Sequence, residues 1–465
     1  MSPADLLSIY AQDYPWLLPS GMLCISVSLF LMHVATRAFD LRRLTIPTVF
    51  YFTYLVMIFF PSFWVYLDKP SPYRDWYIFG VISLLVTLPL GILATNWVSG
   101  FRTRDIQEYF ESPVKEEQPS NNTFLAHLLL VIAAAGIACA YVLQIGTTPL
   151  QHLISNPGDV DQLTQMREQS FKLLDPRWET SESTQMFYAY LFLRTLVFPF
   201  LILSTFGYYM HSRRRNWLFL FIATLFVGGL YAASSIARAP VAAIFMRLFF
   251  FLYVFKSRLK MRLILGFSVL IISFPLLITA YGYGTDTGLL LGLERIALRF
   301  TYTPAEDLYY YFEIFPDNHD YLYGHSLIKP FLKVVGADYF YIENYVHRYI
   351  SPNAPESGHA NAAFLSNLHA DFGVVGVVFG GFFVGAMVQA FQIYTFRQRK
   401  TVYSMAQYAF LVYAVWALNF GSITSILFVN GMVPILFLPA FMNAIAFVLR
   451  SAANAARAPP SHASC

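Results

Sequence analysis

Long apolar runs separated by short polar segments fill the chain almost from end to end. A hydrocarbon core about 30 Å thick needs about 20 apolar residues in a helix. Eleven stretches answer to that length: 16–36, 46–67, 76–98, 124–145, 185–209, 215–235, 239–256, 261–281, 369–395, 403–419 and 425–449. The pattern predicts an all-α polytopic bundle of about 11 transmembrane helices. Prolines within the runs (Pro61, Pro89, Pro199, Pro275 and Pro434) are tolerable there, because neighbouring helices satisfy the backbone groups they free. The expected organisation is helices one to eight over 1–281 with an external loop at 146–184, a large extracytoplasmic loop over 282–368 containing short amphipathic helices, helices nine to eleven over 369–450, and a tail at 451–465.

The polar positions orient this bundle. Dense positive charge falls at every second loop: Arg37, Arg42 and Arg43; Arg102 and Arg104; Arg213, Arg214 and Arg215; Lys256, Arg258, Lys260 and Arg262; Arg397, Arg399 and Lys400; Arg450 and Arg457. Lys and Arg in short loops mark the cytoplasmic side, which predicts an external N-terminus and a cytoplasmic C-terminus. The two long external segments, 146–184 and 282–368, carry most of the polar complexity. Loops longer than about 15 residues are usually functional or disordered; 282–368 is rich in Tyr, Asp, Asn and His, and such aromatic content argues against disorder. Chemistry is therefore expected on the extracytoplasmic face.

Composition sharpens the class. Of 465 residues 57% are hydrophobic and 12% charged, with 45 Phe and 31 Tyr, against about 25% charged in a soluble domain. Such a chain cannot cover a water-facing surface, so its solvent is lipid. The net charge is +4 with no long run of one sign, which gives nucleic acid no footprint. Cys24, Cys139 and Cys465 make no disulfide framework. The start, Met1-Ser2-Pro3-Ala4-Asp5, lacks the basic region of a secretory signal, so the first apolar run is expected to be retained.

Charges inside the apolar runs are the first candidates for chemistry. Arg194 and Arg247 each fall about 12 Å inside the boundary at 1.5 Å per residue. An arginine at such depth costs at least about 2.5 kcal/mol and faces a cavity or a partner, although snorkelling or a purely structural pairing is the competing reading. Arg238 opens the seventh run beside Pro240 and after Ser234 and Ser235, at a helix N-terminus suited to an anion. Arg295 and Arg299 are four apart within 289–308, a spacing that places two guanidinium groups on one helical face, either as a pyrophosphate clamp or as an interfacial contact with anionic lipid. His325, His347, His359 and His369 are scattered through the large loop without zinc-site spacing, and Asp371 stands at the outer end of the ninth run, where a helix N-terminus favours a negative charge. Asp159-Val160-Asp161 has D-x-D spacing but lies outside, away from nucleotide sugars, and Asn121-Asn122-Thr123 is a glycosylation sequon on a cytoplasmic loop. Gly376, Gly380, Gly381 and Gly385 predict close helix packing.

Several of these segments together resemble the Wzy-type oligosaccharide repeat-unit polymerases, the O-antigen and exopolysaccharide polymerases of bacteria. The segments are Ser234-Ser235-Ile236-Ala237-Arg238, Arg295 with Arg299, Tyr321-Leu322-Tyr323-Gly324-His325-Ser326, and Asn361 followed by Ala370-Asp371-Phe372-Gly373-Val374-Val375-Gly376. The resemblance implies a GT-C-like membrane glycosyltransferase of the bacterial inner membrane. It would transfer a glycan from undecaprenyl pyrophosphate onto a lipid-linked repeat unit at the external face, without metal or other cofactor. Arg194, Arg238, Arg295 and Arg299 would hold the pyrophosphate. His325, His359 and Asp371 would be the candidate bases, and a chain-length regulator and a flippase the candidate protein partners. An O-antigen ligase using the same donor and a lipid-linked oligosaccharide flippase or transporter are the alternatives.

Overall fold

The computed structural model describes residues 17–40, 42–116, 118–156, 162, 165–166, 189–236, 238–256, 261–282, 289–335, 337, 339–352, 359–360 and 362–457. Among these the chain is helical, with no strand. In chain order the helices are α1 (Leu17–Thr36), α2 (Ile46–Asp68), α3 (Arg74–Ser99), α4 (Thr103–Glu111), α5 (Asn121–Ile145), α6 (Pro149–Ser155), α7 (Ala189–Ser212), α8 (Arg215–Ala233), α9 (Arg238–Lys256), α10 (Met261–Gly282), α11 (Leu289–Thr301), α12 (Thr303–Ile314), α13 (His325–Val335), α14 (Ile342–Ile350), α15 (Leu365–Arg397), α16 (Val402–Ala417) and α17 (Leu438–Arg457).

Eight helices among the described residues are long and apolar enough to cross a bilayer, or nine if the bent pair Ser425–Leu436 and Leu438–Asn454 makes one span. The protein is thus a multi-pass helical membrane protein. The eight are α1, α2, α3, α5, α7, α8, α9 and α15, each on an apolar stretch of the sequence. The remaining expected stretches are also helical but differ in form. Residues 261–281 lie in α10, 403–419 form the 16-residue α16 followed by a 3₁₀ turn, and the last stretch is bent by 44°.

The described residues gather into two compact units, one within 1–112, 293–398 and 411–426, the other within 113–292, 399–410 and 427–465. In the first, α3 and α15 touch through glycines. A Cβ on Gly91 would stand 2.0 Å from the Phe382 carbonyl oxygen, and one on Gly385 would stand 2.2 Å from that of Leu88. Only hydrogen fits between these backbones, as in small-residue helix contacts generally. Polar side chains tie both helices to their neighbours: Gln392 of α15 accepts the Ile46 N–H of α2 at 2.9 Å, and Asn96 of α3 donates to the Ala35 carbonyl of α1 at 3.0 Å. At the opposite end of α3, the Tyr77 hydroxyl donates to the Ala305 carbonyl at 3.0 Å and its ring meets Tyr309 edge-on, which seats α12 on the bundle.

Gly376 and Gly380 serve a different contact. In a straight helix residues 368 and 380 would be about 18 Å apart along the axis. Here a Cβ on Gly380 would lie 2.4 Å from Leu368 Cδ1, and one on Gly376 2.4 Å from the Leu368 carbonyl. Residues 365–372 therefore fold back along the start of the long shaft that follows them. The hinge is Gly373, at φ 64° and ψ −157°, a conformation that belongs essentially to glycine. The glycine-rich run serves close packing on two faces, one for α3 and one for its own folded-back arm.

The second unit holds α5 to α10, α17 and the first part of α16. Its interior is aromatic: Trp217 meets Phe124 and His127 edge-on and packs on Tyr208 at 4.7 Å between ring centres. Such pairs contribute about 0.5–1.5 kcal/mol beyond area burial and suit a core that lipid surrounds.

Candidate functional site

Pro199 has no N–H for the carbonyl four residues before it, and the chain answers with a π-helical turn at Leu193–Val197 inside α7. Such turns are often found at functional sites, and this one carries Arg194. Its Nη1 donates to Ser235 Oγ at 3.2 Å, while Nε is buried with no partner among the described residues. Among the described residues no carboxylate pairs with Arg194. Tyr141 and Tyr231 are within its electrostatic reach. Tyr141 packs on Tyr190 with ring centres 4.6 Å apart and meets Tyr231 edge-on at 5.4 Å. The Tyr190 hydroxyl donates to Gln144 Oε1 at 3.2 Å, and that of Tyr231 to the Tyr190 carbonyl at 3.1 Å. The guanidinium thus has donors to spare in a setting of phenols and a serine.

The serine turn that meets Arg194 is strained. Ile236 sits at φ 54°, where a β-branched residue is a true outlier, and it is wedged against Leu150 and Leu153. The Leu150 N–H donates to the Ser234 carbonyl at 3.2 Å, so α6 clamps the turn. Thr195, next to Arg194, shares its hydroxyl proton between the Leu191 and Val429 carbonyls, at 2.8 and 3.2 Å. Arg238 begins α9 as expected, and its side chain lies outside the description. Arg247 is buried, with its guanidinium 4.2 Å from the centre of the Phe410 ring, a cation–π contact.

The remaining candidates belong to the first unit. Arg295 and Arg299 are exposed on α11, with Ile296 between them buried. His325 is exposed at the start of α13. His359 is exposed too, its Nε2 3.2 Å from the Tyr341 hydroxyl. Asp371 has the opposite character: it is fully buried, accepting from Ser326 Oγ at 2.6 Å and from the Ser326 N–H at 3.1 Å. Asn367 Nδ2 donates to Ser326 Oγ at 3.2 Å. The lone pairs of Asp371 are engaged and it caps the N-terminus of α13, a favourable place for an anion. His369 is likewise packed away, stacked 3.7 Å from Phe312 with Nε2 3.2 Å from the Phe315 carbonyl. Asp159, Asp161 and Asn361 lie outside the described residues.

One pairing in this unit has no counterpart in the sequence reading. Lys329 of α13 forms an ion pair and hydrogen bond with Glu343 of α14, and its ammonium lies 4.0 Å above the Tyr341 ring. Burial pushes the Glu343 carboxyl up, but the charge and hydrogen bond of Lys329 outweigh it and hold the group below the ordinary range. A folded value below the unfolded one of about 4.3 means the pair's stabilisation is complete above that pH and lost as pH falls through the folded value. Glu343→Gln should lower the unfolding free energy at about pH 7 by about 3 kcal/mol if the pair behaves as buried. The gap to wild type should shrink at acid pH, as the carboxyl of the folded protein takes up its proton. An equal gap at neutral and acid pH would show that the pair is not responsible.

No family model, curated protein or solved structure matches the chain. What the site does is therefore argued from its own residues. The tyrosines around Arg194 come from three helices and leave no motif; the one advance signal was Pro199 five residues after the arginine.

Proposed function

We propose that the protein is a membrane glycosyltransferase that polymerises oligosaccharide repeat units at the extracytoplasmic face, with undecaprenyl pyrophosphate as the leaving group. The observation that carries the reading is Arg194: a half-buried guanidinium in a membrane helix, bonded to Ser235 Oγ and, among the described residues, to no carboxylate. A buried cation without a counter-charge is costly, and an anionic ligand removes that cost. The acceptor hydroxyl oxygen attacks the donor's anomeric carbon, the bond from that carbon to the pyrophosphate oxygen breaks, and the pyrophosphate leaves with the electron pair. Arg194 stabilises the charge growing there, with Arg238 of the same unit as a further pyrophosphate contact. The hydroxyl proton passes to a base; exposed His325 and His359 suit that role better than Asp371, which is spent on capping α13. Eleven spans, a GT-C-like arrangement, an external N-terminus and residence in a bacterial inner membrane belong to the same reading, as do a flippase and a chain-length regulator as partners.

A transporter is the second reading, favoured by the interruptions of the last span: a π turn at Ser425–Val429, a 3₁₀ turn at Pro434–Leu436 and a 44° bend. Transporters place their sites at such broken helices. Deleting the gene and sizing the surface polysaccharide separates the two. A polymerase mutant displays single repeat units, whereas loss of all surface glycan indicates a flippase or a ligase.

A further inference from the structure

Helix α13 is inside out for a helix facing water. Beyond the exposed His325 at its start, its polar side chains Ser326 and Lys329 are 2% and 8% exposed, turned inward to Asp371 and Glu343. Ile328, Phe331 and Val335 are instead 45%, 51% and 74% exposed, and their three- and four-residue spacing puts them on one face. Just before the helix, Tyr323 presents a ring that is 77% exposed from a backbone at φ 48°, where bulky residues rarely sit. The strain is held in place: the Leu322 and Tyr323 N–H groups donate to the carbonyls of Ala370 and Asp371, at 2.9 and 3.1 Å.

The exposed face is also continuous with a surface that lipid covers. The Phe372 ring lies 3.5 Å from where a Cβ on Gly324 would be, which sets the start of α13 beside the start of the α15 shaft. Along that shaft Val375, Phe379 and Phe383 are each more than 60% exposed, as expected of the outside of a membrane-spanning helix. We propose that α13 is an interfacial helix lying in the bilayer boundary at this end of α15, with Ile328, Phe331 and Val335 among the acyl chains and Tyr323 at the headgroups. Apolar-out, polar-in patterning is what a helix resting on lipid requires, and tyrosine is enriched at that depth. Two further features become intelligible. Lys329 turns inward because its outward direction leads into hydrocarbon, and the buried Asp371 network holds the helix start at a fixed level. The placement holds whether or not the protein transfers sugars; if it does, His325 stands at the height where a lipid-linked headgroup would arrive.

The test uses the full-length chain, with Cys24, Cys139 and Cys465 replaced by serine, in nanodiscs of phosphatidylethanolamine and phosphatidylglycerol. Single nitroxide labels go on Ile328→Cys, Phe331→Cys, Val335→Cys and, as an exposed control, Asn318→Cys. The three helix labels should show an oxygen-to-nickel collision ratio several-fold above that at Asn318. Ratios equal to the control overturn the proposal. Labels closed to both reagents and broadened by a neighbouring copy also overturn it, showing that another chain covers the face. Should the cysteine variants not fold, the wild-type protein in vesicles containing a diazirine-bearing acyl chain gives the same reading. Adducts on peptide 325–335 support the proposal, and adducts on α15 without any on that peptide refute it.

Discussion

Arg194→Ala is expected to end polymer formation while leaving the folded protein at least as stable as the wild type. The two halves of that result have one cause. A guanidinium in a membrane helix costs at least about 2.5 kcal/mol, and among the described residues Arg194 recovers little of this from its bond to Ser235. Truncation relieves that cost, so the thermal midpoint should hold or rise, as is common where stability is given up for function. Activity moves the other way. A bidentate pair of charge-assisted hydrogen bonds, each about 2–3 kcal/mol, is a loss of roughly 1,000- to 20,000-fold in rate at about 1.4 kcal/mol per decade. Arg194→Lys keeps the charge without the fork and should retain partial binding but lose about 30- to 150-fold in turnover, the worth of one such bond. Polymerisation of lipid-linked repeat units by purified variants, with melting curves on the same samples, reads both quantities. Stability that falls in step with activity would make Arg194 a structural residue.

Gly373→Ala is the second large effect, and it acts on the fold. The backbone at φ 64° and ψ −157° charges about 3 kcal/mol to any side chain, and the new methyl would also lie 2.9 Å from the Tyr321 hydroxyl. Either the arm 365–372 leaves the shaft or the hinge straightens. Both release Asp371 from the start of α13 and Leu368 from Gly376 and Gly380. Hydrogen exchange should speed at 365–372 and 322–329 together, while α5 and α8 in the other unit stay protected. Unchanged exchange at those segments would mean the hinge is not what holds them.

The spans were legible because length and apolarity are properties of composition: the stretch 46–67 became Ile46–Asp68, and 124–145 became Asn121–Ile145. The break at Gly373 was not, because hydropathy is blind to a single φ, and the apolar run continues across it. Asp371 was legible as an N-terminal helix charge, but the helix it caps is α13, 45 residues earlier in sequence, a pairing no local pattern contains. Arg194 stood out by its depth in an apolar run. Its tyrosine surroundings did not, since Tyr141, Tyr190 and Tyr231 are three of 31 tyrosines and only the tertiary packing selects them. The inward turn of Lys329 was equally hidden, because ordinary amphipathic reasoning assigns a lysine to the outer face.

The glycine contact between α3 and α15 also bears on how the chain is made. α3 ends at residue 99 and α15 begins at residue 365, so on the ribosome one partner waits for the other through some 270 residues, about half a minute at roughly 10 residues per second. During that interval the glycine face of α3 has only lipid or the insertion machinery against it. Helices α7, α8 and α9, all encoded between these partners, can pair with near neighbours as they emerge, whereas α5 also packs against the late helix α17. Biogenesis should therefore run from the middle of the message outward, with the first helices held as early arrivals that dock on α15 late in assembly.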